Sequence, residues 1–307
     1  MYTIFMIDGG AGRAITAIPA LLKYMKNNPQ DDFKIFVHGW DPLYWGIPEL
    51  QDRTFNPETK GMFENYFLNA SRVVTPEPYK LPAYYKQEKN LVQAFDAIIN
   101  NTDDHKDLEN IKLCLTKTEE LTCVSLLSEL DKKKPNVIFQ PFGSTAKKLG
   151  NYVLDDSSRS LDVETYIKIV KRLSNKYNLI YFGEQSVSPD EDTYTRKYTG
   201  DLRFWMTMVD MSDYFIGVDS VGQHMARAFN KPGTIILGST FAANISYPDY
   251  FNILKKDGEP KYSPLRISMT EASLADRIND TRMSFTDKEI NQFLESIDNH
   301  IRKNVRR

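Results

Sequence analysis

The stretch Tyr214-Phe215-Ile216-Gly217-Val218-Asp219-Ser220-Val221-Gly222-Gln223-His224-Met225-Ala226-Arg227-Ala228-Phe229-Asn230-Lys231-Pro232-Gly233, continued by Thr234-Ile235-Ile236-Leu237-Gly238, reads as strand, tight loop, short helix and strand. Both apolar runs are short and unalternated, the pattern of parallel strands buried on two faces, and Asn230 to Gly233 is a helix stop signal. Asp219 and Ser220 therefore fall where a central strand ends and a helix begins. In open α/β sheets the ligand crevice lies outside the carboxyl ends of the strands, and helix N-termini offer free N–H groups to anions such as phosphate. Asp219 and Ser220 also suit plain N-capping, and His224, one turn into the helix, also suits a satisfied histidine at the edge of the core.

The rest of the chain extends this pattern. Asn136 to Gln140 and Leu179 to Phe182 read as further strands, Leu161 to Lys176 and Leu202 to Met211 as helices, so that residues 136–237 alternate as one Rossmann-like half. Ser160 and Asp162 are the candidate caps of the Leu161 helix. At the other end of the chain Tyr2 to Ile7 is a strand that runs into Asp8-Gly9-Gly10-Ala11-Gly12-Arg13, followed by helical spacing from Ala14 to Met25. Phe33 to Val37 is a second strand, ending at His38-Gly39-Trp40-Asp41. Gln87 to Asn100 reads as an amphipathic helix and Leu108 to Leu130 as a further helix-prone stretch. The charge run Asp131-Lys132-Lys133-Lys134, closed by Pro135, is the linker candidate.

Composition narrows the chemistry. At 307 residues, with 41% apolar and 12% aromatic residues, the chain is long enough for two domains with separate cores. A formal charge of −2 gives no general attraction to nucleic acid or anionic lipid, although the tail from His300 to Arg307 is locally basic. No apolar run reaches the ~18 residues that span a bilayer, and no leader pattern opens the chain, so a cytoplasmic protein is expected. Cys114 and Cys123 form neither a CxxC pair nor a cluster with histidine, which argues against a zinc site or a disulfide framework. A dinucleotide fingerprint needs glycine three places after Gly12, where Ile15 stands, and neither a phosphate-loop lysine motif nor a nucleophile elbow is present.

The string from Asp219 resembles the pattern Asp-Ser/Thr-Gly-x-x-His, then Ala-Ala-x-Gly-x-Pro, of the heptosyltransferase-like glycosyltransferases of family nine. Asp219, Ser220, His224, Ala226, Ala228, Lys231 and Pro232 match it; Val221 stands where the family has glycine, and Gly222 follows one place later. Ile18-Pro19-Ala20-Leu21 is similar to the family's Pro-Ala-Leu helix. Asn136 to Gln140 with Pro141-Phe142-Gly143-Ser144-Thr145-Ala146-Lys147-Lys148 resembles the first strand and loop of its donor domain, in which a lysine meets the donor phosphates. Phe139-Gln140-Pro141-Phe142-Gly143, with Asp155-Asp156-Ser157-Ser158-Arg159-Ser160 downstream, looks most like the phage-borne branch.

The resemblance implies a GT-B fold: two Rossmann-like domains facing each other across a cleft, an acceptor-binding domain at 1–134, a nucleotide-sugar domain at 135–285, and a helix at 286–307 that returns to the first. It implies transfer of a sugar from a UDP- or ADP-sugar to a hydroxyl, with inversion and no other cofactor. Expected donor contacts are Gly10, Gly12, Ser144, Lys147 or Lys148, Glu184, Asp219, Ser220, Val221, Gly222 and His224. The family's loop base is an aspartate where this chain has Arg13, so Asp8 is the first candidate base, then Asp41, then His38, while Asp8 equally suits ordering of the glycine loop. Arg13 can clamp a phosphate or be an exposed first-turn residue.

No metal is expected. Asp190-Glu191-Asp192, the one string near an Asp-x-Asp, sits after Ser188-Pro189 and reads as a solvated acidic loop. For the acceptor, a hydroxymethylated cytosine flipped from phage DNA, in the host cytoplasm, leads; a lipopolysaccharide-core or other surface glycan is the alternative. A protein that binds nucleotide sugars without turning them over stands as a third reading, motivated by Arg13.

Overall fold

The computed structural model describes residues 1–307 except 144, 151, 156, 184–186, 188–190, 246, 257–265, 268–269, 272–280 and 306–307. Contacts divide the chain into two compact units, Met1–Thr116 and Lys117–Arg307. The division falls ahead of the charge run 131–134 that marked the expected boundary. The reason is the helix Lys117–Leu127, which packs on the helix Leu202–Met211 and binds its Arg203 through Glu119, at 2.8 Å from Nη2 to Oε2.

In the first unit four parallel strands, β1 (Tyr2–Ile7), β2 (Lys34–Val37), β3 (Thr54–Phe55) and β4 (Ala70–Val74), lie in the order β3-β2-β1-β4. β1 is an inner strand, and its Ile4, Phe5 and Ile7 are buried. The helix Ala11–Asn27 follows it, longer at both ends than the spacing suggested, and is buried all round over its middle, with Ile15, Ile18, Pro19, Ala20 and Leu21 among the covered residues. Phe5, Tyr24 and Phe33 meet edge-to-face behind it, with ring centroids 4.8 to 5.8 Å apart. The expected helix after Gln87 starts at Leu91, where Asn90 and Gln93 form a reciprocal capping box, and runs to Ile99. The stretch expected to be helical from Leu108 becomes a helix only at Lys117.

The second unit carries six parallel strands: β5 (Asn136–Gln140), β8 (Asn178–Tyr181), β9 (Arg196–Lys197), β10 (Tyr214–Gly217), β11 (Gly233–Leu237) and β12 (Asn252–Lys255), ordered β12-β11-β10-β5-β8-β9. A separate antiparallel hairpin, β6 (Lys147–Leu149) and β7 (Tyr152–Leu154), rises from the loop after β5. All of β10 and β11 is buried, as their unalternated apolar runs require. Val137, Phe139, Tyr166, Ile169, Tyr214, Ile216 and Ile236 form the core with Ile290, Phe293, Ile297 and Ile301 of the last helix, Asp287–Asn304. That helix starts in a capping box of Thr286 and Glu289, and Asp162 caps the helix Val163–Leu173.

The two sheets share a topological property. In the first, the chain leaves β1 for β2 and β3 on one side and returns to β4 on the other. In the second it leaves β5 for β8 and β9 and returns to β10, β11 and β12. Each sheet therefore has a switch point, β1/β4 and β5/β10, where adjacent strands feed loops that part in opposite directions and open a crevice at their carboxyl ends.

Candidate functional site

At the β5/β10 switch point Gly217 pairs with Gln140, the last residue of β5. The Gln140 side chain crosses to the next loop: Oε1 accepts from the Gly222 N–H at 3.0 Å, and Nε2 donates to Ser220 Oγ at 3.3 Å. A Cβ at position 222 would lie 2.4 Å from Gln140 Oε1 and 2.6 Å from the Phe215 ring. The glycine expected to admit a diphosphate thus admits the strand below it. Ser220 is the N-cap by position and makes no side-chain cap bond, so the helix Val221–Ala228 opens without a capping oxygen.

Asp219 is 2% exposed. Its Oδ1 accepts from Gln223 Nε2 at 2.6 Å, whereas Oδ2 has no hydrogen-bond partner among the described residues. The group opposite Oδ2 is Arg159 Nη1, at 3.7 Å an ion-pair distance beyond hydrogen-bond range. Burial pushes the Asp219 carboxyl up, and Arg159, Thr240 and Gln223 oppose it. Two further buried oxygens on neighbouring elements lack partners among the described residues: Gln223 Oε1 in the first helical turn, and Ser239 Oγ just past β11. His224 is buried, its Nδ1 hydrogen-bonded with the Tyr247 hydroxyl at 2.7 Å. Burial, assisted by the Arg159 charge, pushes its imidazole down to about 3, so the ring is neutral.

Arg159 was quoted in the sequence without a role. It reaches Asp219 because the loop from Pro141 to Leu161 is tied into one knot by Asp155. That carboxylate is 8% exposed and accepts from Thr145 Oγ1 at 2.7 Å, from the Ser157 N–H at 2.9 Å, from the Ser160 N–H at 3.0 Å and from both serine hydroxyls. Burial pushes Asp155 up, but the hydrogen bonds of Ser157, Ser160 and Thr145 outweigh it and hold the carboxyl below its ordinary range. Ser160 Oγ also takes the Gly143 N–H at 2.9 Å, and Arg159 Nε donates to Ser157 Oγ at 3.0 Å.

Lys147 and Lys148, the expected phosphate lysines, are exposed on β6. No helix begins in the described part of residues 141–161, which holds the β6/β7 hairpin; Ser144 lies outside the described residues, as does Glu184. Asp190 does too, but Glu191 next to it is fully buried rather than solvated. It accepts from Tyr166 Oη at 2.8 Å, Lys197 Nζ at 2.8 Å and the Val187 N–H at 3.1 Å. The acidic string contributes a buried strut beyond β8, because Lys197 on the two-residue β9 arrives as its counter-ion.

At the β1/β4 switch point the glycine loop is closed by its own residues. Asp8 is exposed and its Oδ1 accepts from the Gly9 N–H at 2.7 Å, so the carboxylate orders the loop. Gly9 has φ +101°, a conformation that favours glycine, and its carbonyl accepts from Trp40 Nε1 at 2.8 Å. Gly10 caps the helix with no side chain, and Gly12 lies within its first turn. Arg13, expected as a phosphate clamp or an exposed residue, is 4% exposed. Its guanidinium donates to Glu77 Oε1 and Oε2 at 2.9 and 3.2 Å and to the Pro76 carbonyl at 3.2 Å, with Tyr79 over it at 4.9 Å. Asp41 opens a short 3₁₀ turn after β2, and exposed His38 lies 3.7 Å from Glu58.

Among the described residues no group of three or more His, Cys, Asp or Glu side chains could hold a metal ion, and no helix is long and apolar enough to cross a membrane.

Solved structures share this architecture. The fold is that of the GT-B glycosyltransferases. The Escherichia coli ADP-heptose lipopolysaccharide heptosyltransferase II matches over 99% of both chains with a TM-score of 0.66 at 13% identity. A family 9 glycosyltransferase from Veillonella parvula matches over 98% of this chain and 97% of its own, with a TM-score of 0.66 at 8% identity. The iron-containing dodecameric glycosyltransferase TibC of enterotoxigenic E. coli matches over 98% of this chain and 77% of its own, with a TM-score of 0.61 at 14% identity. No protein-family model and no curated protein sequence matches the chain.

Proposed function

We propose that the protein is a glycosyltransferase of the heptosyltransferase-like kind, working in the cytoplasm. It takes a nucleoside-diphosphate sugar at the β5/β10 switch point and transfers the sugar, with inversion, to an acceptor hydroxyl. The observation that carries the reading is the Arg159–Asp219 pair: a guanidinium and a buried carboxylate whose Oδ2 has no hydrogen-bond partner among the described residues, side by side at a strand edge suited to nucleotides. A native protein rarely leaves such an oxygen buried without a partner, so a bound hydroxyl, donating to it, completes it.

In the proposed reaction the acceptor oxygen attacks the anomeric carbon while the bond from that carbon to the distal phosphate oxygen breaks. Negative charge grows on the departing diphosphate. Arg159 and the uncapped start of the helix Val221–Ala228 offset it, a fixed arrangement that needs no reorganisation during the step. Asp219 Oδ2 accepts a hydroxyl of the donor, and neutral His224, backed by Tyr247, borders the same pocket without adding charge. Asp8 accepts the acceptor proton as general base.

ADP-heptose is the first donor to test, since the similar structures include an ADP-heptose-dependent enzyme. We put a glycan hydroxyl ahead of a hydroxymethylated cytosine as acceptor; what supports this order is that one of the similar structures is named a lipopolysaccharide heptosyltransferase. In addition, the residues that looked phage-like hold the fold of the site: Gln140 seats Gly222, and Asp155 ties the loop. Release of nucleoside diphosphate from a panel of ADP- and UDP-sugars, with lipopolysaccharide-core glycan or hydroxymethylated DNA, tests the assignment. Turnover with a glycan acceptor, lost in Arg159→Ala and in Asp8→Asn, is the expected result. Donor binding with no turnover in the wild type and Asp8→Asn alike would instead establish a non-catalytic sugar-nucleotide receptor.

A further inference from the structure

The last helix, Asp287–Asn304, has two polar faces with opposite fates. One is bonded to its own unit: Asp287 to Lys168 at 2.9 Å, Asn291 to Arg172, and Asp298 to Tyr177 at 2.7 Å and to Lys176. The other displays Gln292, Glu295, Asn299 and Lys303, spaced three and four apart and so on one stripe. None of these four hydrogen-bonds to another described side chain. Together with Ser296, His300 and Asn252 they line an open cavity of about 500 Å³.

The floor of this cavity is fixed in advance. Asn252 Nδ2 donates to Thr234 Oγ1 and to Ser296 Oγ, both at 3.1 Å, and His300 Nδ1 is hydrogen-bonded with the Tyr214 hydroxyl at 2.6 Å. Tyr214 in turn meets Thr234 at 2.6 Å. Tyr214, Thr234 and Asn252 stand at or next to the first residues of β10, β11 and β12, so the cavity lies at the amino edge of the sheet, whereas Asp219 lies past the carboxyl end of β10. It is a second location, apart from the proposed donor site.

We infer that this cavity is a saccharide-binding site, remote from the transfer chemistry, that holds a neutral segment of a glycan. Carboxamides offer donor and acceptor side by side, which matches vicinal hydroxyls, each of which both donates and accepts. Glu295 disfavours a phosphate and Lys303 disfavours a cation, which leaves an uncharged polyol. The volume is of the size that small-ligand sites have. The choice of a glycan among polyols rests on the transferase reading. The site then gives the protein a second grip on a long acceptor, raising the effective concentration of the chain to be modified.

The test is ligand-observed NMR and titration calorimetry of the full chain with neutral di- to tetrasaccharides. The variants are Asn299→Ala and the double substitution Glu295→Ala with Asn299→Ala; alanine favours the helix, so both keep it. Binding by the wild type, weakened at least about tenfold in the double variant and unchanged in Asp219→Asn, is the expected result. Absence of binding by the wild type, or equal affinity in the double variant, overturns the site. Because the assay uses no donor, it fails independently of the transferase assignment: turnover without saccharide binding removes this site alone, and binding without turnover leaves it standing.

Discussion

The two switch points have the same topology and different contents. At β1/β4 a guanidinium is met by its own carboxylate: Arg13 and Glu77 form a two-pronged pair, with side chains 5% and 17% exposed, roofed by Tyr79. At β5/β10 the guanidinium of Arg159 stands 3.7 Å from Asp219 and buried oxygens nearby lack partners among the described residues. The first crevice bonds its guanidinium twice to one carboxylate and leaves only Arg13 Nε, a donor, without a partner among the described residues, whereas the second leaves buried acceptor oxygens, and it is there that the donor site is proposed.

The sharpest way to break the comparison is to remove one partner on each side. Glu77→Ala leaves the Arg13 charge buried and unpaired, and a loss of about 3–5 kcal/mol is expected in denaturant unfolding, with donor binding retained by the folded protein. A change below 1 kcal/mol would show that Arg13 is not tied to Glu77 in solution. Asp219→Asn should behave in the reverse manner. It removes a carboxylate whose ionised form burial disfavours, so thermal stability holds or rises, while turnover falls about 10²–10³-fold, the scale set by losing one preorganised group. Equal turnover would move the donor site elsewhere.

A smaller effect is in pH. His224 titrates lower in the folded chain, near 3, than its ordinary 6.5, so the unfolded chain binds more protons between these values and stability falls as pH drops through that window. Asp219, raised by burial, acts with the opposite sign, most strongly below its own folded value. In His224→Gln the downward slope below pH 6.5 should flatten relative to the wild type, measured by urea unfolding at several pH values. The least effect is expected at Gly9: Gly9→Ala forces a side chain into φ +101° with its Cβ 2.7 Å from Arg13 Cδ, at a cost of about 1–2 kcal/mol, and turnover of the folded fraction should persist.

Much of the fold was legible because its strands are buried on both faces and stop at glycine or aspartate. Tyr214 to Gly217 and Gly233 to Leu237 needed only composition and length to be recognised, and the edge position of Asp219 followed. What escaped was whatever depended on partners distant in sequence. Arg159 is carried to Asp219 by hydrogen bonds converging on Asp155 from an aperiodic loop, and no spacing rule marks such a knot. Glu191 looked solvated because its counter-ion, Lys197, sits on a strand too short to see, and its other ligand, Tyr166, lies 25 residues upstream. Arg13 looked like a clamp because Glu77, 64 residues away, carries no sign of being its mate.

The lock between Gln140 and Gly222 has an evolutionary corollary. A larger residue at 222 would strike the carboxamide, and a shorter one at 140 would strand the amide of 222, so neither position is free to drift alone. Among relatives of this chain the two positions should therefore covary, and where the glutamine at 140 is lost the glycine at 222 loses the contact that requires it.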